Sequence, residues 1–264
     1  MHALHTAVSA LMNDVAQSVV MPYFQSLTAE QIIEKSPGDL VTVADRLSEE
    51  RLTEGLMKIL PGSRVVGEEA VAADAAVLEG IDSGTVWIVD PIDGTGNYAG
   101  GRTPFAIMVG LAEDGEVVGG WILDPVKARM LHGVKGGGAF VNDERVTSRG
   151  SDEDVLIGAL APRYLPKHMR GDMEARTKGK VQQADIPRCA GEQYPRIVSG
   201  ENDFAIFWRS HPWDHAPGSL FLTEAGGRIA RWDGAPYRIG EKREGLLAAA
   251  TPAIWDKAAA IING

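Results

Sequence analysis

Trp87-Ile88-Val89-Asp90-Pro91-Ile92-Asp93-Gly94-Thr95-Gly96-Asn97 is the densest chemical stretch of the chain. An apolar strand runs straight into two carboxylates three residues apart. Asp90 stands at the strand end, where a loop presents it to a cleft. Pro91 has a fixed φ and stiffens the link, so Asp93 is held in a set relation to Asp90. Two acids held close repel and shift each other's pKa unless a cation lies between them. Gly94 permits a close backbone approach. Thr95 adds a hydroxyl and, with Gly94, N–H groups for an anion; a helix starting here would favour phosphate at its N-terminus. Asp-Gly alone is an ordinary turn pair, but the full run is far more specific.

Gly94-Thr95-Gly96-Asn97-Tyr98-Ala99 also matches a dinucleotide fingerprint, with Glu113 and Asp114 about 20 residues on. The following connector contains Gly100, Gly101 and Pro104. It cannot hold the crossover helix of a βαβ unit, so that reading is rejected.

Two more acidic sites flank the run. Val65-Val66-Gly67-Glu68-Glu69 is a strand-like segment ending in paired acids. Trp213-Asp214-His215-Ala216-Pro217 opens a helix predicted over 214–225 and stopped by Gly226-Gly227. Asp214 falls at its N-cap, where it either only caps or also points an oxygen at a metal. His211 and His215 are separated by Pro212 and the helix start, so they make no zinc pair. His2, His5, His132 and His168 are scattered. A metal here would take oxygen ligands, which selects Mg²⁺, with Mn²⁺ as substitute, over zinc.

Elsewhere, Leu4, Val8, Leu11, Met12, Val15 and Val19 recur at helical spacing, and a second helix is predicted over 43–60. Glu34–Asp39 reads as an exposed loop. Strands are predicted around 86–89, 105–111, 117–123 and 130–134, then at 155–161 and 204–208. Apart from 155–161, the polar 150–185 stretch shows no clear element. The division falls near 146–152, giving an N-terminal half, 1–148, with most of the acids, and a C-terminal half, 149–264, with Asp214.

The chain has 264 residues, 26 basic and 36 acidic, for a formal charge of −10. This length fits one large domain or two fused halves. The acidic balance argues against nucleic acid as a partner but leaves a small anion open. Cys189 is the one cysteine, which excludes an intramolecular disulfide and reads as a small buried apolar side chain. Met1–Val20 has no Lys or Arg and is interrupted by Asp14 and Gln17, so no signal peptide is expected. With no run of roughly 18 apolar residues, no membrane span is expected, and a cytoplasmic location follows.

Asp90-Pro91-Ile92-Asp93-Gly94-Thr95 resembles the signature of the inositol monophosphatase family. Gly67-Glu68-Glu69, Lys35-Ser36-Pro37-Gly38-Asp39-Leu40-Val41-Thr42-Val43-Ala44-Asp45, and Trp213-Asp214 with Glu224-Ala225-Gly226-Gly227 fit the same pattern in the same order. The resemblance implies an α/β layered sandwich of αβαβα type. It implies a Mg²⁺-dependent phosphomonoesterase with two to three ions, commonly a homodimer and lithium-sensitive, acting on a small phosphorylated substrate. It assigns metal ligation to Glu68, Asp90, Asp93, Asp214 and the main-chain carbonyl of Ile92. Asp45 and Thr95 match the pair that orients and deprotonates the attacking water. The Gly94 and Thr95 amides match the phosphate cradle, and Lys35 lies in a loop that closes near the metals.

Departures bear on the substrate. The family's inositol phosphatases have a Glu seven residues before the Trp-Asp aspartate; here that position is Phe207. The usual small-residue stretch reads Arg188-Cys189-Ala190-Gly191-Glu192-Gln193-Tyr194. Arg188, Glu192 and Tyr194 become candidates for reading the alcohol, with packing or dimer contacts as the other reading. Histidinol phosphate, 3′-phosphoadenosine 5′-phosphate and fructose 1,6-bisphosphate stand beside inositol phosphates as substrates. A non-catalytic regulatory paralogue is the non-enzymatic alternative. A haloacid dehalogenase-type phosphatase would need Asp-x-Asp near the chain start, which is absent.

Overall fold

The computed structural model describes residues 3–151 and 153–264. Met1 and His2, which open the stretch read for a signal peptide, and Asp152, in the expected boundary zone, lie outside the described residues.

Helix α1 (His5–Val15) continues through a π turn at Ala16–Val20 into α2 (Met21–Tyr23). Strands β1 (Ile32–Ser36) and β2 (Asp39–Thr42) follow. The segment Glu34–Asp39 is therefore mostly not a loop. Ile33 pairs with Val41 and Glu34 with Leu40, which leaves only a short tip around Pro37 and Gly38. Helix α3 (Val43–Ile59) starts at a capping box in which Thr42 and Asp45 hold each other's backbone N–H. Next come β3 (Arg64–Gly67), α4 (Glu68–Ala73), β4 (Thr85–Asp93), α5 (Thr95–Ala99), β5 (Ala106–Glu113), β6 (Glu116–Asp124), β7 (Arg129–Val134), β8 (Gly138–Val141) and β9 (Glu144–Val146).

The polar 150–185 stretch holds β10 (Leu156–Ala159), inside the strand expected at 155–161, together with α6 (Lys167–Thr177) and β11 (Val181–Gln183), which no sequence signal marked. Then follow α7 (Ala190–Ser199), β12 (Phe204–Phe207), α8 (Pro212–Glu224), β13 (Arg228–Arg231), β14 (Leu246–Ala249) and α9 (Pro252–Asn263). Helix α8 begins two residues earlier than expected, so Asp214 is its third residue and not its N-cap. The cause is Pro212, whose fixed φ suits the first helical position.

Among the described residues, one sheet has the order β3-β4-β5-β6-β7-β8-β9 and another the order β11-β10-β12-β14-β13, beside the β1-β2 hairpin. In the larger sheet β3 and β4 are parallel and the remaining pairs antiparallel. Helices α1 and α3 cover its outer face, where Trp87, Val89, Ile107, Val109 and Trp121 meet Val8, Met12, Val15 and Leu52. Helices α7 and α8 fill the space between the sheets, and α6 and α9 cover the far face of the smaller one. The layers run α, β, α, β, α. Burial of both faces explains why β4 is apolar from Val86 to Val89.

A row of glycines seats α8. Gly110 pairs with Gly120, and Gly120 with Gly133, across β5, β6 and β7. A Cβ on Gly120 would sit 2.7 Å from the Pro217 carbonyl oxygen, and one on Gly133 would sit 2.8 Å from the Phe221 backbone. The missing side chains let the backbone of α8 lie directly on the sheet, which fixes where its first turn delivers Asp214.

Candidate active site

The site begins with a register. Gly67 of β3 pairs with Val89 of the parallel β4, so the next residues, Glu68 and Asp90, leave the two strands side by side. Chain ends of parallel strands are where α/β proteins place ligands. After Asp90 the pairing with β5 shifts, resuming only at Asp93 and Ala106. Asp90 Oδ1 accepts the Ile92 N–H at 3.0 Å, which turns the chain and brings Asp93 back towards Asp90. Gly94 takes φ +86°, and a Cβ there would press on the Pro104 carbonyl at 3.1 Å and Cys189 at 3.2 Å; the position needs glycine.

Carboxylate oxygens of Asp90, Asp93 and Asp214 lie within 4.8 Å of one another. Burial, reinforced by Glu68, Asp93 and Asp214, pushes the Asp90 carboxyl well above the usual range. Burial and then Asp214 push Glu68 up to about 8. Burial and then Asp93 push Asp214 up to about 7. Burial also raises Asp93, against the hydrogen bonds it accepts from the Cys189 thiol and from backbone N–H groups. One of these is the Gly191 N–H at 2.6 Å, in the first turn of α7. A buried set of like charges of this kind fits hard divalent cations bound through oxygen.

Glu68 also meets a cation from the protein. Lys35, on β1, places Nζ 3.0 Å from Glu68 Oε1 and 2.9 Å from Glu69 Oε1. Burial works against its charge, but Glu68 and Glu69 outweigh that and hold the ammonium above its ordinary pKa. Behind Glu68, the buried Glu49 of α3 accepts the N–H groups of Glu69 at 2.8 Å and Ala70 at 2.7 Å. Gly67 leaves room for it. Glu49 thus caps α4 from a distance and aims Glu68. Glu49→Ala is expected to cost about 1–2 kcal/mol in urea unfolding and to weaken Mg²⁺ binding about tenfold by calorimetry.

Asp45 lies just behind the cleft. Its Oδ2 accepts from Thr42 Oγ1 at 2.5 Å and the Thr42 N–H at 2.8 Å, and Oδ1 faces Thr95 Oγ1 at 3.3 Å. Burial pushes this carboxyl up to about 7 although the Thr42 bonds oppose it. The Thr95 hydroxyl also reaches the Ile92 carbonyl at 3.0 Å.

The cleft, about 480 Å³, is lined by Lys35, Glu68, Asp90, Ile92, Asp93, Gly94, Thr95, Arg188 and Asp214, all expected from the sequence. It is also lined by Asn97, Arg163, Tyr164, Arg209 and His211, which sequence reasoning missed. Asn97 donates to the Pro104 and Pro187 carbonyls at 2.8 and 2.9 Å, tying α5 to the segment before α7. Glu192 is not brought to the cleft. Helical turn geometry puts Ala190 and Gln193 of α7 towards the site and Glu192 on another face. There it meets Arg129, Lys127 at 3.1 Å and Arg196 at 3.4 Å. Tyr194 is fully buried, its hydroxyl donating to His215 Nδ1 at 2.9 Å, since His215 Nε2 donates to the Arg209 carbonyl, and its ring stacked on Phe207; it is a packing residue behind the pocket. Cys189 is buried as expected.

Two of the scattered histidines do meet. His5 and His132 have ring centroids 3.9 Å apart, beside Asp143. Trp121 Nε1 donates to His5 Nδ1 at 3.0 Å, and an indole N–H can only donate. The neutral His5 proton is therefore on Nε2, 3.1 Å from Asp143. This is a hydrogen-bonded fastening of α1, not a metal centre.

Two buried aspartates and the half-buried Asp214, a glutamate on the neighbouring parallel strand and a Thr–Asp pair thus meet at one cleft. The profile described as the inositol monophosphatase family matches residues 3–263, and the chain belongs to that family. An inositol-1-monophosphatase of Rhizobium meliloti is 35% identical over 249 residues, covering 89% of this chain and 91% of that protein. A fructose-1,6-bisphosphatase/inositol-1-monophosphatase of Aquifex aeolicus is 31% identical over 229 residues, covering 84% and 83%. The solved structure of a Thermotoga maritima IMPase superposes with a TM-score of 0.81 at 25% identity, covering 100% of this chain and 97% of that one. The chain has the family's layered fold and is a phosphoric monoester hydrolase. No helix among the described residues is long and apolar enough to cross a membrane.

Proposed function

We propose that the protein hydrolyses a small phosphomonoester in a Mg²⁺-dependent reaction, with Mn²⁺ as substitute. The observation that carries this is the convergence of Asp90, Asp93 and Asp214 oxygens within 4.8 Å in a buried cleft. Those three, Glu68 and the Ile92 carbonyl hold the ions. When bound, the ions supply positive charge to the phosphoryl oxygens and lower the pKa of water. Gly94 and Thr95 receive the phosphate. The Thr95 hydroxyl takes the proton of the attacking water while giving its own to Asp45 Oδ1. A carboxyl titrating at about 7 suits a proton acceptor near neutral pH. Lys35 neutralises Glu68 and Glu69 at the rim.

The division into a metal-bearing half, 1–148, and a half carrying Asp214 and the alcohol pocket, 149–264, belongs to the same reading. So do a homodimer, lithium sensitivity and a cytoplasmic location, all supported by family membership. Phosphate release from a panel spanning inositol 1-phosphate, histidinol phosphate, fructose 1,6-bisphosphate and 3′-phosphoadenosine 5′-phosphate tests the reaction. Release with Mg²⁺ that disappears in EDTA is expected; turnover unaffected by EDTA would overturn the metal dependence.

The raised carboxyls also set a pH dependence of stability. Glu68 titrates at about 8, and Asp45 and Asp214 at about 7, in the folded protein, against about 4 for unfolded carboxyls. Across that window the native state without metal binds more protons than the unfolded chain. Its stability therefore falls as pH rises from about 4 to about 8. Calorimetry in EDTA is expected to show a lower Tm at about pH 8 than at about pH 6, and Mg²⁺ is expected to raise Tm more at the higher pH. A Tm in EDTA that rises across this window would contradict the charge cluster.

A further inference from the structure

We infer that the alcohol side of the cleft is built for a phosphomonoester bearing a second anionic group, a further phosphate or a carboxylate. This deepens the phosphatase reading above and rests on it.

Three arginines from three separate segments line the cleft. Arg163 comes from the β10–α6 link, Arg188 from the approach to α7, and Arg209 from the β12–α8 link. Arg163 and Arg209 place their guanidinium carbons 5.0 and 5.4 Å from the ring centroid of Tyr164. All three residues are exposed. Among the described residues none of the three side chains forms an ion pair or hydrogen bond. Partners are not scarce in a chain with 36 acids against 26 basic residues. Lys35, the other cation of this cleft, has carboxylate partners. With no ion pair or hydrogen bond of their own, these guanidiniums present forked donors suited to phosphate or carboxylate.

A slot of about 150 Å³ opens beside them, lined by Tyr164, Ile186, Ala190, Phe207 and Trp208. Asp93, Asp214, Arg188 and Arg209 line both the slot and the cleft. An alcohol seated in the slot is therefore within reach of the aspartates and of Arg188 and Arg209 together. The Phe207 ring, stacked at 5.5 Å on Tyr194 and edge-on at 4.7 Å to His215, is a fixed apolar wall. A polyol would leave hydroxyls unpaired against it, which costs binding. An alcohol that turns an apolar or planar face to Phe207 and carries its polarity as one anion matches both features.

Matched substrates isolate the second anion: glycerol 2-phosphate against 2-phosphoglycerate, and fructose 1-phosphate against fructose 1,6-bisphosphate. With Mg²⁺, kcat/KM is expected to be at least about tenfold higher for the member with the extra anion, mainly through KM. The advantage shrinks with added KCl, because exposed charges are screened. Arg209→Gln and Arg163→Gln are each expected to cut that preference about tenfold. A ratio near one in the unaltered enzyme, or variants that slow both members equally, would overturn the second-anion subsite and leave the phosphatase reading standing. No phosphate release from any member overturns the phosphatase reading itself.

Discussion

Asp93→Asn is expected to lower kcat by at least about a thousandfold while the protein stays folded. The substitution removes one negative charge from the point where Asp90, Asp93 and Asp214 meet, so cation binding loses a ligand and a charge together. The fold survives because an amide oxygen can still accept the Gly191 N–H that Asp93 Oδ2 now holds at 2.6 Å. Without metal the variant should even be more stable at about pH 8, since one source of repulsion on Asp214 is gone. Steady-state phosphate release and calorimetry in EDTA check both halves. Turnover close to that of the unaltered protein would remove Asp93 from the metal site.

Gly120→Val is expected to have the largest effect on the fold. Even the first added carbon would sit 2.7 Å from the Pro217 carbonyl oxygen and 2.9 Å from its Cα. Backbone on a packed helix cannot step aside as a flexible side chain can. Overpacking of this kind costs about 3 kcal/mol or more, which for a chain of this size lowers Tm by about 10 °C. The displaced helix also carries Asp214 away from Asp90 and Asp93, so activity should fall further than stability does. Gly110→Ala is the contrasting control: its Cβ would rest 3.6 Å from Ala216 and Pro217, an ordinary contact. Equal losses in the two variants would mean that the helix is not seated on this row.

The acidic centre was legible in the sequence because its geometry is local. Asp90, Pro91 and Asp93 are neighbours on one strand end, and Glu68 needs only the pairing of β3 with β4 to reach them. Asp214 was legible as a metal candidate, but not its exact helical position, which Pro212 sets. The hairpin β1–β2 was hidden by a polar sequence around its tip. Short strands such as β13 and β14 carry four residues each and depend on neighbours for their identity. Arg163 and Arg209 were invisible for another reason. Each is an unremarkable surface residue in its own segment, and only the assembly of β10, β12 and α8 brings them to one cleft. Glu192 was misplaced because adjacent residues on a helix face different ways, and reading the Arg188–Tyr194 run as a single surface ignored that turn.

The hydrogen bond from Gly191 to Asp93 joins residues 98 positions apart. Closing so long a span comes at an entropic cost that local contacts do not bear. During synthesis, the first two aspartates exist long before α7 and α8 emerge to cap one and complement the other. A growing chain therefore carries Asp90 and Asp93 with neither the Gly191 clasp nor the Asp214 carboxylate beside them.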